Sequence, residues 1–249
     1  DVCSSDLTGK PKGAQLTHGN IMSNVVQGQS WISGIGERGQ ERFLAALPLF
    51  HIYGLTLTAA LAVSTGGKLL LLPKPEIPLI VDQLKREVPT YMPGVPTLYD
   101  KILAAAEEHN LDLSGIANAL SGAAPLPVHT TLEWEKKTGG KIVEGYGLTE
   151  TAAAACVNYP GGTKIGTVGK PNNGYSVKIN EDGEICFKGN GVFKGYWNNE
   201  EATNEALVDG WFVTGDLGEI DDEGYVKITG RKKDLIVTAG GKNVSPGPL

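Results

Sequence analysis

The chain reads as an α/β protein, with a mostly parallel sheet flanked by helices over residues 1–160. A small antiparallel, β-barrel-like subdomain is expected over 161–229. Three observations predict this. In the first part, strand-sized apolar runs alternate with helix-length periodic segments, the pattern of a parallel sheet covered on both faces. After Pro160-Gly161-Gly162 the texture changes to short strands separated by turn residues, as in small antiparallel sheets. The chain has 249 residues, 41% hydrophobic and 20% charged, which is enough to bury a sizeable core at an ordinary globular composition.

The elements follow in order. Thr17 is an N-cap for a helix running through Ile21, Val25 and Val26 towards Trp31. Phe43 to Leu47 reads as a strand, and Pro48-Leu49-Phe50-His51-Ile52-Tyr53-Gly54 leads into an apolar helix. Lys68–Leu72 is a strand, Leu79–Val88 a helix, Thr90–Met92 a strand. Val95–His109 is helical, with Pro96 accommodated in the first turn, where its missing N–H is not needed. Ala117–Leu120 runs into the turn Ser121-Gly122-Ala123-Ala124-Pro125, Val128–Lys137 is helical, and Lys141–Val143 is a strand. In the second part, Ser176–Ile179, Glu184–Phe187, Trp211–Val213 and Tyr225–Ile228 are short strands. Glu181-Asp182-Gly183 and Asp222-Glu223-Gly224 are hairpin signals between them. Gly230 to Asp234 then leads into a strand at Leu235–Val237.

Ligands of open parallel sheets bind beyond the carboxyl ends of the strands. Two glycine-bearing segments fall there: Ser121-Gly122-Ala123, and Gly145-Tyr146-Gly147-Leu148-Thr149-Glu150-Thr151. In the second, glycines permit close backbone approach, Tyr146 offers a face on which a purine can stack, and Thr149 can donate to a phosphate. Glu150 can hold a divalent cation. Read without further context, it is equally a strand-to-helix turn with Glu150 favoured by the helix dipole. The loop Ser4 to Gly13 holds hydroxyls, glycines, Lys10 and Lys12, which suits either a triphosphate or a solvated basic turn. It is not a Walker A loop, because Gly9-Lys10 is followed by Pro11. Gly34-Ile35-Gly36-Glu37-Arg38-Gly39 matches GxGxxG but lies between a helix and a strand in the wrong order for a dinucleotide fold, so it reads as a loop. His51, between Phe50 and Tyr53, reads as a packed histidine, and Asp216 as either a turn aspartate or an acceptor for ribose hydroxyls.

A net charge of −6 argues against a general nucleic-acid or anionic-membrane surface. Cys3, Cys156 and Cys186 lie far apart and read as free thiols, with neither zinc nor a disulfide framework. The strongly apolar runs, such as Leu69 to Leu72, are strand-sized, so neither a membrane span nor a signal peptide is expected, and the reading is of a soluble cytoplasmic protein.

Taken in order and spacing, five segments resemble the adenylate-forming enzymes, and among them most closely the long-chain fatty-acid–CoA ligases. They are Thr8-Gly9-Lys10-Pro11-Lys12-Gly13, Tyr146 to Glu150, Gly195-Tyr196-Trp197, Trp211 to Asp216, and Gly230-Arg231-Lys232-Lys233-Asp234. The resemblance implies ATP, Mg²⁺ and coenzyme A as cofactor and substrates, with a fatty acid activated to acyl-AMP and then acyl-CoA. It places Thr8, Gly9, Lys10 and Lys12 in the phosphate loop. Ser121, Gly122 and Ala123 line the adenine and acyl pocket, beside Gly145 and Gly147. Tyr146 stacks on adenine, Thr149 contacts the α-phosphate, and Glu150 coordinates Mg²⁺. Asp216 and Arg231 hold the ribose, His51 borders the acyl site, and Lys233 lies at the hinge that opens residues 230–249. An apolar substrate leaves room for peripheral membrane contact, and no oligomeric state is implied.

Other adenylate-forming ligases, of aryl or amino acids, and a non-catalytic nucleotide-binding module are the rival readings. Two departures from the family pattern stand out. Asp6 and Leu7 occupy positions where the family has glycine and threonine, and a carboxylate facing a triphosphate is electrostatically wrong, so residues 1–7 are expected not to be native. The family's region before the phosphate loop, and the small domain carrying its catalytic lysine, are expected to lie outside this chain. The isolated fragment is therefore expected to be inactive.

Overall fold

The computed structural model describes residues 11–32, 39–159, 161–234, 236–237 and 243–244. Five strands run parallel in the first part: β1 (Arg42–Ala45), β2 (Lys68–Leu71), β3 (Tyr91–Gly94), β4 (Asn118–Ser121) and β5 (Lys141–Tyr146). Their spatial order is β2-β1-β3-β4-β5, and β6 (Cys156–Val157) and β7 (Lys170–Pro171) extend the same sheet antiparallel beyond β5.

Alternation along each strand decides which residues make which core. Phe43, Tyr91, Leu120 and Val143 pack on one face with Val25, Leu57 and Leu61. Their neighbours Leu44, Met92, Ala119 and Ile142 pack on the other, against Ile80, Leu84, Tyr99, Ile102 and Trp134. The second face is covered by α4 (Ile77–Arg86), α5 (Pro96–Glu108) and α6 (Val128–Thr138), the first by α1 (His18–Ile32) and the segment 52–65. That segment is the apolar helix the sequence predicts, with a difference in its winding. A short α-turn, α2 (Ile52–Gly54), passes into a π-helical stretch at Leu55–Ala60 and returns to α geometry in α3 (Leu61–Thr65). It ends on Gly66, whose φ of 71° is the left-handed C-cap that glycine tolerates best.

Thr17 caps α1 as expected. The Asn20 N–H donates to Thr17 Oγ1 at 3.1 Å, and the Asn20 side chain accepts from the Thr17 N–H at 2.7 Å, a reciprocal arrangement that satisfies two amide groups at the helix start. The Asn20 amide then donates to the carbonyls of Asn190 and Val192, so the same residue ties α1 to the second part of the chain.

The second part is an antiparallel sheet of β8 (Tyr175–Ile179), β9 (Glu184–Gly189), β10 (Leu207–Val208), β11 (Trp211–Ile220) and β12 (Val226–Arg231). Its long strand, β11, pairs with β9 on one edge and with β10 and then β12 on the other, and its register slips between Val213 and Leu217. A helix that the sequence reading did not find, α7 (Glu200–Ala206), is capped by the Asn199 side chain accepting from the Ala202 N–H at 3.0 Å. Ala155, Cys156, Val168, Tyr175, Ile185, Phe187 and Val226 form one core shared by β6 and the antiparallel strands, which fixes the two parts against each other. Beyond it, β13 (Ile236–Val237) pairs antiparallel with β14 (Asn243–Val244). Among the described residues no helix is long and apolar enough to cross a membrane, and no group of three or more His, Cys, Asp or Glu has metal-site geometry. Cys156 and Cys186 are buried free thiols.

Candidate functional site

The site is built at the carboxyl ends of β4 and β5. β5 runs three residues further than the sequence suggests, through Gly145 and Tyr146. The chain then turns through a single 3₁₀ turn at Thr149–Thr151, not the start of a longer helix, and leaves through Ala152 and Ala153, both with positive φ. Gly147 is compulsory here, since a Cβ on it would lie 1.5 Å from the carbonyl oxygen of Ala153. The turn is held from behind by Asn24 of α1, whose amide donates to the Ala154 carbonyl at 2.8 Å and whose oxygen accepts from the Ala154 N–H at 3.0 Å. Tyr175 adds a hydrogen bond to the Thr151 carbonyl at 2.7 Å.

Two clusters hang from this turn. In the first, the Tyr146 hydroxyl donates to Asp216 Oδ2 at 2.5 Å, and Asp216 Oδ1 lies 3.2 Å from the Arg231 guanidinium. Asp216 is brought there by the register slip in β11, where Gly215 at φ 78° turns the strand and its N–H donates to the Glu184 carboxylate. So Asp216 is a strand residue at a bulge and not a β-turn aspartate. Burial raises its pKa above the usual carboxylate value, with the Tyr146 hydrogen bond and the Arg231 charge pulling the other way. Burial likewise pushes the Tyr146 phenol up, reinforced by the Asp216 charge, so the phenol remains a donor.

In the second cluster Glu150 is almost wholly buried, at 2% exposure. Its Oε1 accepts from the Tyr196 hydroxyl at 2.7 Å, while Oε2 is buried with no hydrogen-bond partner. A buried carboxylate oxygen left unpaired is costly unless a cation or donor completes it. Lys12 places its ammonium 5.2 Å from the centre of the Tyr196 ring, and Thr149 is buried beside Glu150. The residues after Lys12 are pinned to the same segment: the Trp197 N–H donates to the Gly13 carbonyl at 2.7 Å and the Gln15 N–H to the Gly195 carbonyl at 2.8 Å.

On β4, Ser121 is fully buried with its hydroxyl unpartnered, and it sits in register with Glu144 of β5. Gly122 has Tyr53 against it, where a Cβ would stand 3.1 Å from the ring, and Ala123 has φ 67°. The Tyr53 hydroxyl donates to the Leu120 carbonyl at 2.5 Å, which fixes α2 over the end of β4.

Most of the expected site residues therefore converge. Ser121, Gly122, Ala123, Gly145, Tyr146, Gly147, Thr149 and Glu150 lie at and beyond the ends of β4 and β5, Asp216 reaches Tyr146 from the bulge of β11 with Arg231 of β12 paired to it, and Lys12 joins through Tyr196. Thr8, Gly9 and Lys10 lie outside the described residues. His51 is not packed. It is exposed, its ring accepts from the Tyr53 N–H at 3.2 Å as the cap of α2, and partial desolvation lowers its pKa. Lys233 is exposed in the 3₁₀ turn Lys232–Asp234, while its neighbour Lys232 pairs with Asp182 and Glu184 at 3.1 Å each. Sequence reasoning gave no role to Tyr196, which lay inside a quoted motif, nor to Glu144. That carboxyl stands two residues before Tyr146, and burial raises its pKa to about 7, with the Leu126 backbone hydrogen bond opposing. An acid immediately before the glycine-tyrosine-glycine run was the available signal.

Comparison with known proteins places this geometry. Residues 5–197 match the family described as AMP-binding enzyme. A long-chain-fatty-acid--CoA ligase of Bacillus subtilis is 41% identical over 251 residues, 96% of this chain and 44% of that protein. The crystal structure of ATP-bound MatB from Rhodopseudomonas palustris superposes with a TM-score of 0.85 at 36% identity, covering 98% of this chain and 50% of that one. An o-succinylbenzoate coenzyme A synthetase (MenE) from B. subtilis, in complex with ATP and magnesium ion, gives 0.85 at 34% identity, covering 98% and 52%. The chain thus spans about half the length of the relatives it matches, with the parallel sheet and antiparallel sheet both inside the shared region. It belongs to the AMP-binding enzyme family, the adenylate-forming ligases.

Proposed function

We propose that this chain carries the nucleotide site of an ATP-dependent acyl-CoA ligase that activates a fatty acid. The observation that carries the reading is the unpaired Oε2 of Glu150, a buried anionic oxygen in a residue that follows Thr149 and whose other oxygen is held by Tyr196, the ring over which the Lys12 ammonium lies. Such a donor set fits Mg²⁺, which takes few protein carboxylates and completes its shell with phosphate oxygens and water. When bound there, Mg²⁺ would neutralise charge on the phosphates.

The chemistry asked of the protein follows from the reactants. A carboxylic acid is already ionised at neutral pH, so no general base is needed. The barrier lies in bringing that carboxylate onto the α-phosphorus of a polyanion. Lys12 and the Thr149 hydroxyl lower the repulsion at the phosphates, and Thr8, Gly9 and Lys10 belong to the same task in this reading. Tyr146 presents its ring to adenine while its hydroxyl stays anchored on Asp216. Ribose hydroxyls donate to the Asp216 carboxylate, where burial raises the pKa and the Tyr146 hydrogen bond and Arg231 charge oppose it. Gly122, packed against Tyr53, and Ala123 form a wall of the ligand pocket, and His51 with the neighbouring α2 borders the acyl group. The carboxylate oxygen bonds to the α-phosphorus and pyrophosphate leaves. The coenzyme A thiol then attacks the acyl carbon and AMP departs, with Lys233 at the hinge between the two steps. Holding reactants in line and stabilising developing charge are each worth several kcal/mol in such reactions.

The fatty-acid assignment rests on the name of the B. subtilis relative. The likeness to MatB and MenE supports a second reading, a ligase of another acid on the same nucleotide site. Trapping acyl-AMP as the hydroxamate in this chain extended by a relative's C-terminal domain, with palmitate, malonate and an aryl acid compared side by side, decides between them. A hydroxamate yield highest with palmitate supports the first reading, and preference for either other acid replaces it with the second.

A further inference from the structure

We infer that Tyr196 is the positioning residue of the metal-binding carboxylate: it occupies Oε1 of Glu150 and so leaves Oε2 as the oxygen offered to the cation. The inference rests on the reading of Glu150 as the Mg²⁺ ligand. A free glutamate can present either oxygen in many rotamers, whereas here one is taken by a phenolic O–H at 2.7 Å, a charge-assisted bond made across 46 positions of sequence.

Tyr196 is itself immobilised from three sides. Its N–H donates to Thr203 Oγ1 at 2.8 Å, and that hydroxyl is in turn held on the Asn199 carbonyl at 2.7 Å. Its ring stands edge-on to Phe193 with centroids 4.9 Å apart, and Phe193 is edge-on to Phe212 at 5.4 Å. Phe193 also donates its N–H to the Glu150 carbonyl at 2.8 Å, so one four-residue segment grips both the backbone and the side chain of Glu150. Gly195 is what lets the segment close: its φ is 144°, and a Cβ there would stand 2.5 Å from Thr203 Cγ2. Finally, the Lys12 ammonium lies over the Tyr196 ring, and Ala14 forms a backbone bridge with Tyr196. One tyrosine therefore sets the carboxylate and touches the lysine-bearing segment at the same time. Phenylalanine in its place keeps every ring contact and loses only the O–H.

The test uses the 249-residue chain with Mn²⁺ as the metal probe, free Mn²⁺ being counted by electron paramagnetic resonance in the absence of ATP, which would itself chelate the metal. Metal-free ATP binding is measured by calorimetry in EDTA. Outer partners of metal ligands commonly shift metal affinity by about tenfold or more when removed. Tyr196→Phe should weaken Mn²⁺ binding about tenfold while leaving metal-free ATP affinity unchanged, a split that general loosening of the fold would not produce. Placing p-aminophenylalanine at 196, which restores an N–H donor on the same ring, should return most of the loss. If Tyr196→Phe melts far below the parent, p-methylphenylalanine at 196 fills the hydroxyl's volume without a donor and must show the same weakened Mn²⁺ binding. Parent-like Mn²⁺ affinity in the donor-less variants, with Glu150→Gln strongly impaired, overturns the role of Tyr196 and leaves Glu150 as ligand. Parent-like affinity in Glu150→Gln as well overturns the underlying reading.

Discussion

Glu144→Gln should make the protein more stable at pH 8 and leave it unchanged at pH 4. The carboxyl is raised from 4.5 to about 7 because it is largely desolvated at the end of β5. Below pH 4.5 it is protonated in both the folded and unfolded chain and has no effect on the balance. Between 4.5 and 7 the unfolded chain releases the proton while the folded chain keeps it, so stability falls as pH rises. Above 7 the folded state carries the full penalty of a half-buried anion, which the gap between the two pKa values sets at about 3 kcal/mol. Residual exposure screens part of this, so about 2 kcal/mol is the expected gain for the amide at pH 8. Urea unfolding of both proteins at pH 4.5, 6 and 8 measures it, with the slope of the transition as a check on two-state behaviour. A difference that is flat across this range, or that favours the parent at pH 8, would refute the burial argument. Asp216 is raised in the same direction, so Glu144→Gln should flatten the fall in the parent's stability only in part.

Two further outcomes follow from the turn that carries the site. Gly147→Ala has nowhere to put its methyl, 1.5 Å from the Ala153 carbonyl oxygen, so the backbone must move and a cost of about 3 kcal/mol or more is expected, with loss of ATP binding; a melting temperature within two degrees of the parent, an allowance of roughly half a kcal/mol, would contradict it. Asn24→Leu leaves the Ala154 N–H without its buried acceptor, and should cost about 2 to 4 kcal/mol while freeing the Thr151–Ala154 turn, read as faster amide exchange there and not in β3.

How much of this was legible in the sequence depends on the range of the interaction. The alternation of strand-sized apolar runs with helix-length segments is local, and it was enough to announce a sheet covered on both faces. Thr17 and Pro96 announced their helix starts for equally local reasons. The turn at Gly145–Thr151 was recognisable from its glycines, but not as a 3₁₀ turn, because that depends on the contact between Gly147 and Ala153. What escaped is long-range. The bond between Tyr196 and Glu150 and that between Tyr146 and Asp216 join segments 46 and 70 residues apart. Asp216 faces the site only because β11 slips register, which no alternation pattern marks. The π-helical stretch at Leu55–Ala60 was hidden for the same reason, since an apolar run carries no signal that separates α from π winding.

The proposed function stands on a Mg²⁺-dependent nucleotide site between Glu150 and Asp216. Calorimetric titration of the chain with ATP, in Mg²⁺ and in EDTA, measures that dependence. The prediction is saturable one-to-one binding that Mg²⁺ tightens, weakened in Asp216→Asn in both conditions and insensitive to Mg²⁺ in Glu150→Gln. Binding that is absent, or that neither substitution alters, would contradict it.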